Sequence, residues 1–139
     1  MNQQVLTRMT LRLACQIPQY GGSFIDKEGV LNVYLTNLAD SATAGPIVQL
    51  ELNKFPHADR TIRFLKGEYT YNYLASLEHV LLPYFAHGIS LWTVDERRNR
   101  FLIGVVSDDA REKLLLAIDK LKLPLAAIII EKIPYAIPV

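Results

Sequence analysis

The sequence of 139 residues lacks most of the features that reveal a chemistry directly. It contains one cysteine, which excludes an internal disulfide and a cysteine-based metal cluster. Its 15 basic and 14 acidic residues nearly cancel, so the basic excess that is typical of nucleic-acid binders is missing. No apolar run approaches the roughly 18 residues that a membrane-spanning helix needs. We therefore expect neither nucleic acid nor a membrane as a partner.

Motifs of known enzyme mechanisms are also missing. The chain has no glycine-rich phosphate loop, nucleophile elbow, HExxH motif or cysteine pair. Asp26 and Asp95 could form a pair of acids, but both fall where turns are expected, and aspartate often accepts backbone hydrogen bonds in turns. His79 and His87 are two helical turns apart, too far to share a metal ion without further ligands. We expect no enzyme activity, no catalytic residue, no metal and no other cofactor.

What the chain does contain is the material of one folded domain. Half of its residues are hydrophobic, and a chain of this length buries roughly two thirds of its unfolded surface. Cys15 lies in an apolar stretch and is predicted to be a small buried side chain. The densest basic cluster, Arg97, Arg98 and Arg100, is predicted to form the tip of a hairpin.

Hydrophobic periodicity predicts the elements of the first half. Apolar residues within Val5–Ile17 recur on one helical face and predict an amphipathic helix. The residues around the turn at 26–29 predict two short strands. Residues 47–55 favour a helix over a strand, and Thr61–Lys66 predicts a strand.

The second half gives stronger signals. Residues 68–87 form the longest helical candidate, which Pro83 is expected to kink or end. Ile89–Asp95 and Phe101–Ser107 are predicted strands, and a helix is predicted over 109–123. The apolar run Ala126–Ile130 is typical of a central buried strand.

Two stretches of the chain look alike. Phe24–Asn37 and Thr93–Asp108 each contain an aspartate, charged residues, a turn and an alternating strand, and each leads through a helix to one more strand. This order predicts an α+β fold of two β-β-α-β units, with antiparallel three-stranded sheets that are each covered by a helix, joined by a long helix. The single domain 1–139 would comprise an N-lobe at about 20–67, a connecting helix at about 68–87, a C-lobe at about 88–133 and an extended tail at 134–139.

The tail and several aromatic residues are the candidate binding features. Two prolines keep the tail extended, so it can dock on a strand edge or in a protease cleft, or pack against its own domain. Its residues are Pro134, Tyr135, Ala136, Ile137, Pro138 and Val139. Trp92 suits a core or an interface position, with the core favoured. Tyr69 and Tyr71 belong to an alternating tyrosine series of which at least one member should be exposed for partner binding.

The residues Gly21–Asn37, the strand and helix at 61–87, and Val94–Val106 resemble the prodomain of alpha-lytic-protease and streptogrisin-type serine proteases. They are also similar to prodomain-like bacterial proteins that carry no obvious protease. The resemblance covers most of residues 20–132, and its motifs are structural hairpins rather than catalytic residues. In that family the prodomain is an intramolecular chaperone and a tight inhibitor of its protease.

The resemblance implies how this chain would act. The edge of the sheet formed by 89–107 and 126–132 would pair with a protease hairpin, and residues 134–139 would lie in the active site like a bound product. The partner would be a chymotrypsin-fold serine protease, and the protein would be secreted or periplasmic, or cytoplasmic if the N-terminus is native. The alternative is an orphan structural or interaction domain of the same fold, which could self-associate as a homodimer and has no protease partner.

Overall fold

The computed structural model describes residues 3–55 and 60–135 of the chain. Its elements occur in this order: α1 (Gln3–Gln16), β1 (Tyr20–Ile25), β2 (Leu31–Leu35), α2 (Ser41–Leu52), β3 (Ile62–Lys66), α3 (Tyr71–Leu81), β4 (Ile89–Asp95), β5 (Arg100–Val105), α4 (Asp108–Lys120) and β6 (Ile128–Lys132). Short 3-10 turns precede α2, follow α3 and precede β6. The α+β class and the two predicted β-β-α-β units are confirmed.

Both sheets are mixed, so the prediction of wholly antiparallel sheets is wrong. One sheet has the order β1-β2-β3 and the other β4-β5-β6. The hairpin strands pair antiparallel, whereas β3 runs parallel to β2 and β6 runs parallel to β5. A helix between two neighbouring strands returns the chain to the same end of the sheet, so the next strand must run in parallel. In the order β4-β5-β6 the strand β6 lies at an edge, so the predicted central position of this strand is also wrong.

The helix α3 is shorter than predicted. It spans 11 residues and is the shortest of the described α-helices, so it is not a long connecting helix. Pro83 lies in the 3-10 turn that follows, where its missing amide hydrogen ends the α-helical bonding.

The described chain divides into two compact units. The first comprises residues 1–72 together with Glu96–Asn99, and the second comprises Tyr73–Asp95 and residues 100–139. The first unit has a core between α1, α2 and one face of its sheet, which includes Met9, Leu13 and Val33, each with no exposed surface. The core of the second unit contains buried residues of α3, β5 and α4.

The two sheets repeat each other residue by residue. Both hairpins carry one bulge at the start of the first strand, between Tyr20 and Gly22 in one and between Ile89 and Leu91 in the other. The parallel pairs then start and end at matching points, from Leu31↔Ile62 to Leu35↔Lys66 and from Phe101↔Ile128 to Val105↔Lys132. The repeat that the hairpin sequences suggest is therefore a repeat of complete strand register.

The helices extend this repeat. In α2 the buried residues are Ala44, Val48, Glu51 and Leu52, and in α4 they are Ala110, Leu114, Ala117 and Ile118, at the same spacing. Buried residues also match between α1 and α3, where Met9 and Leu13 correspond to Leu77 and Leu81. Each unit is thus α-β-β-α-β, and α3 is the first helix of the second unit rather than a connector.

One burial prediction fails in α1. Cys15 is exposed, because the helix turns its buried side toward Met9, Leu13 and Ala14. At about 100° per residue, Cys15 lies about 100° from Ala14 and about 160° from Leu13 around the helix axis, which takes it off the core face.

Candidate protein-binding surface

The second sheet has two edges that other strands could use. Among the described residues, β4 and β6 each pair with β5 alone. One edge strand, β6, ends in Glu131 and Lys132, and charged residues on an edge strand oppose its pairing with another strand. In contrast, β4 carries no proline and no charge before Asp95. Leu91, Trp92 and Thr93 on β4 are exposed, so this edge is the better template for an added strand.

Trp92 lies at the margin of the core rather than inside it, so the interpretation that favoured a core position is wrong. It pairs with the buried Ile103 in the sheet, yet 37% of its surface is exposed. Its ring packs against Phe85 with centroids 5.1 Å apart, and its Nε1 donates a hydrogen bond to Oε1 of Glu78 at 2.9 Å. The helix side of the ring is thereby fixed, and the other side is available to a partner.

The first residues of the tail pack on their own unit. The amide of Ile133 donates to the carbonyl oxygen of Val105 at 2.8 Å, and Oγ of Ser90 donates to the carbonyl oxygen of Ile133 at 2.7 Å. Pro134 and Tyr135 are exposed, but the hydroxyl oxygen of Tyr135 accepts a hydrogen bond from the amide of Gly88 at 3.1 Å. Residues 133–135 are therefore held rather than free. Ala136, Ile137, Pro138 and Val139 lie outside the described residues.

Gly104 on β5 explains how the tail can pass over β5 from the end of β6 toward the start of β4. A Cβ atom placed on Gly104 would lie 2.9 Å from Oγ of Ser90, closer than such atoms approach in proteins, and 3.0 Å from Cδ1 of Ile133, which is tighter than most such contacts. Glycine at this position lets these two residues meet above β5 without displacement. The tail consequently leaves β6 and comes to the start of β4, where Gly88 binds Tyr135.

The two candidate tyrosines lie in the first unit and are half-buried. The ring of Tyr71 packs against the first core and lies 6.2 Å from the ring of Tyr20. The backbone amide and carbonyl of Tyr69 both bond to the side chain of Asn99. Of the tyrosine series, Tyr73 is the most exposed member, with 37% of its surface accessible.

A buried polar cluster in the first unit was missed by sequence reasoning. One carboxylate oxygen of Glu96 accepts hydrogen bonds from Thr10 Oγ1 at 2.8 Å, from the amide of Ser23 at 3.0 Å and from the hydroxyl of Tyr20 at 3.3 Å. Tyr20 and Ser23 also bond to each other at 2.7 Å. Burial, together with the nearby Glu96 charge, raises the pKa of Tyr20 far above its usual value, so its hydroxyl stays protonated.

Asn99 completes the same segment. Its Nδ2 donates to the carbonyl oxygens of Gly21 and Tyr69, both at 2.9 Å, and its Oδ1 accepts from the amides of Glu68 at 2.7 Å and Tyr69 at 3.0 Å. The residue is 2% exposed and has a φ of 55°, which asparagine tolerates better than most residues. These contacts are structural and leave no atom of the amide for a ligand.

Asp26, one of the two candidate acids, also bonds to the backbone. Its carboxylate accepts hydrogen bonds from Asn32 Nδ2 at 2.9 Å and from the amides of Glu28 and Val30. The bond from Asn32 and these amides lower the pKa of Asp26. This is the turn role that its sequence position predicts.

The described residues offer few places for a small ligand. Over 3–55 and 60–135, no three histidine, cysteine, aspartate or glutamate side chains gather as a metal site requires. His79 and His87 are exposed, and His57 lies outside the described residues. Two open hollows lie on the surface, one of about 260 Å³ beside Gln16, Asp40 and Thr43 and one of about 370 Å³ beside Glu112, Leu116 and Asp119. Both lie below or near the lower end of the roughly 300–1,000 Å³ that is usual for ligand pockets. None of the described helices is both long and apolar enough to cross a bilayer.

No protein-family model matches the chain, and no curated protein matches it.

Proposed function

We propose that the protein is a non-enzymatic protein-binding domain of the serine-protease prodomain type. In this role it inhibits, or assists the folding of, a chymotrypsin-fold protease. The partner's strand adds to the edge of β4, and the chain beyond Tyr135 enters the protease cleft.

The observation that carries this proposal is the hydrogen bond between Tyr135 and the amide of Gly88 at 3.1 Å. Gly88 directly precedes β4, so the tail and the edge strand meet at one place. A protein that adds a strand to β4 would therefore also encounter the tail. Main-chain bonds along an edge supply affinity, while an extended segment in a cleft supplies specificity.

The surface chemistry supports a protein partner over a small molecule. The exposed side chains at this place, Leu91, Trp92 and Tyr135, are large and mostly apolar, and aromatic residues are enriched where proteins bind each other.

The test is titration of the protein into bacterial proteases of the streptogrisin and alpha-lytic types while hydrolysis of a peptide substrate is followed. We expect stoichiometric inhibition. Removal of residues 136–139 should weaken it at least tenfold and leave the circular dichroism spectrum unchanged, because this truncation keeps the bonds of Ile133 and Tyr135.

A leucine-to-lysine pair tests the edge separately. Leu91→Lys places a charge on β4 and should weaken inhibition, because lysine on an edge strand opposes pairing. Leu116→Lys makes the same change on α4, where the leucine is 70% exposed, and should leave inhibition intact. An absence of inhibition across the panel, with the protein folded and uncleaved, would refute the proposed function.

A further inference from the structure

The internal repeat brings one position of a strand and one position of the preceding helix together in both units. Ser23 on β1 pairs with Val33, and Trp92 occupies the matching register on β4 opposite Ile103. In each unit the side chain at this strand position contacts a residue of the preceding helix. That residue is Thr10 in α1 and Glu78 in α3, and each directly follows a buried residue, Met9 or Leu77, that corresponds in the repeat.

These helix and strand side chains touch in both units. Oγ1 of Thr10 lies 3.5 Å from Oγ of Ser23, and Oε1 of Glu78 lies 2.9 Å from Nε1 of Trp92. We name the first pair, with Tyr20, the α1–β1 corner, and the second pair, with Phe85, the α3–β4 corner.

The α1–β1 corner is filled by a turn. Residues Glu96–Asn99 belong to the first unit, and the Glu96 carboxylate accepts hydrogen bonds from all three residues of the corner. Thr10, Tyr20 and Ser23 are each at most 1% exposed as a result. The backbone geometry of this corner thus accommodates a hairpin turn whose first residue is charged.

The α3–β4 corner is open. Over the described residues no turn covers it, so Glu78 is exposed and Trp92 keeps 37% of its surface accessible. Phe85 forms the floor, and Leu82 beside it is 47% exposed. The corner therefore presents one carboxylate above an apolar surface.

In the strand register of the repeat, Lys27 in the turn at 26–29 corresponds to Glu96 in the turn at 96–99, and these two residues are opposite in charge. Lys27 follows Asp26, which comes directly after β1, and Glu96 follows Asp95, the last residue of β4. Each turn ends in a residue of positive φ, at 80° in Gly29 and 55° in Asn99. Lys27 is exposed. In the α1–β1 corner the helix residue Thr10 bonds to Glu96. In the α3–β4 corner the helix residue is Glu78, and the residue of the turn at 26–29 that corresponds to Glu96 is Lys27.

We propose that the turn at 26–29 of a second copy of this chain docks in the α3–β4 corner. The Lys27 ammonium pairs with the Glu78 carboxylate, and its aliphatic stem lies across the Trp92 ring, an arrangement that adds cation–π attraction. The contact takes a charge of each sign from the two surfaces, which makes it self-complementary between copies of one chain.

Each chain offers one turn and one corner. The contact forms either twice in a two-fold dimer, where each turn enters the corner of the other copy, or once between neighbours in a ring or an open chain. This inference does not depend on the proposed protease partner, because it is measured with the protein alone.

The experiment is sedimentation velocity of the full chain over a wide concentration range, with Trp92 fluorescence read in parallel. Trp92 is the only tryptophan, so its emission reports the corner directly. We expect concentration-dependent association, a blue shift of emission as the corner is covered, and weakening of both in high salt.

Charge reversal identifies the two surfaces. Lys27→Glu and Glu78→Lys should each raise the apparent dissociation constant at least about tenfold, because like charges then face each other. An equimolar mixture of the two variants should associate again, since each turn then finds a corner of opposite charge. Glu78→Gln keeps an acceptor for Trp92, and should weaken association less than Glu78→Lys does.

Lys120→Glu is the matched control for Lys27→Glu, because it changes the net charge equally on an exposed residue of α4 and should not alter association. A chain that stays monomeric up to about millimolar concentration would overturn the proposal. So would association that Lys27→Glu affects no more than Lys120→Glu, or a mixture of the two charge-reversed variants that fails to recover it.

Discussion

Replacing Asn99 by alanine should remove a large part of the stability of the first unit. The buried side chain makes four hydrogen bonds to backbone groups, and each is worth about 0.5–1.5 kcal/mol net, which gives about 2–6 kcal/mol. The backbone φ of 55° adds about 1–2 kcal/mol against alanine. The expected loss of about 3–8 kcal/mol is comparable with the whole stability of a typical domain, about 5–15 kcal/mol.

Two further variants separate these contributions. Asn99→Gly loses the same hydrogen bonds without the backbone cost, so it should be about 1–2 kcal/mol less damaging than alanine. Asn99→Asp can still accept from the amides of Glu68 and Tyr69, but its second oxygen would face the carbonyl oxygens of Gly21 and Tyr69. We therefore expect aspartate to be no better than glycine.

The assay is urea unfolding followed by far-ultraviolet circular dichroism, with Asn53→Ala as the control. Asn53 is exposed, and its one side-chain bond, from Gln49, is also exposed, so its loss should cost less than about 0.5 kcal/mol. A change of less than about 1 kcal/mol for Asn99→Ala would show that the four hydrogen bonds do not hold the segment, and the reasoning would be wrong.

Two other predictions concern pH. Hydrogen bonds from Lys54 and Gln16, with the Arg12 charge nearby, lower the pKa of Glu51. The ionised Glu51 carboxylate should stabilise the fold fully above about pH 4.3, and this stabilisation should be lost as the pH falls through the lowered pKa of Glu51 in the folded protein. Glu51→Gln should thus cost about 1 kcal/mol at pH 7 and nothing near pH 2, as measured by urea unfolding at both pH values; an equal cost at both would contradict it. The pKa of Tyr20 is raised, so the folded chain loses stability as the pH rises above about 10. Tyr20→Phe should be less stable by about 1–3 kcal/mol at pH 7 and less sensitive to alkali, and a parallel alkaline decline in both proteins would count against this.

Local patterns gave the elements of this fold, and long-range contacts decided what the patterns could not. The period of the apolar residues in Val5–Ile17 was enough to predict the buried face of α1, because helix periodicity depends only on neighbours in the chain. The direction of β3 and β6 was not predictable in this way, since it depends on which end of the sheet the preceding helix returns to.

The candidate site shows the same limit. The turns at 26–29 and 96–99 were visible as turns, but nothing in the local sequence of Glu96 reveals that its partners are Thr10 and Ser23, which lie 86 and 73 positions earlier. Trp92 looked like a core residue because its strand is apolar, yet its place at the margin of a three-stranded sheet leaves part of it outside. The similarity between α1 and α3 was hidden as well, because it consists of buried positions rather than shared residue types.

The membership of Glu96–Asn99 in the first unit affects how the protein can be made. A ribosome delivers the rest of that unit, through Asn72, before these four residues exist. At about 5–20 residues per second, the unit waits on the order of seconds for them. During that interval Thr10, Tyr20 and Ser23 lack the carboxylate that satisfies them, and the backbone groups of Gly21 and Tyr69 lack the amide of Asn99. The nascent chain is therefore exposed to misfolding and proteolysis until its middle has been synthesised.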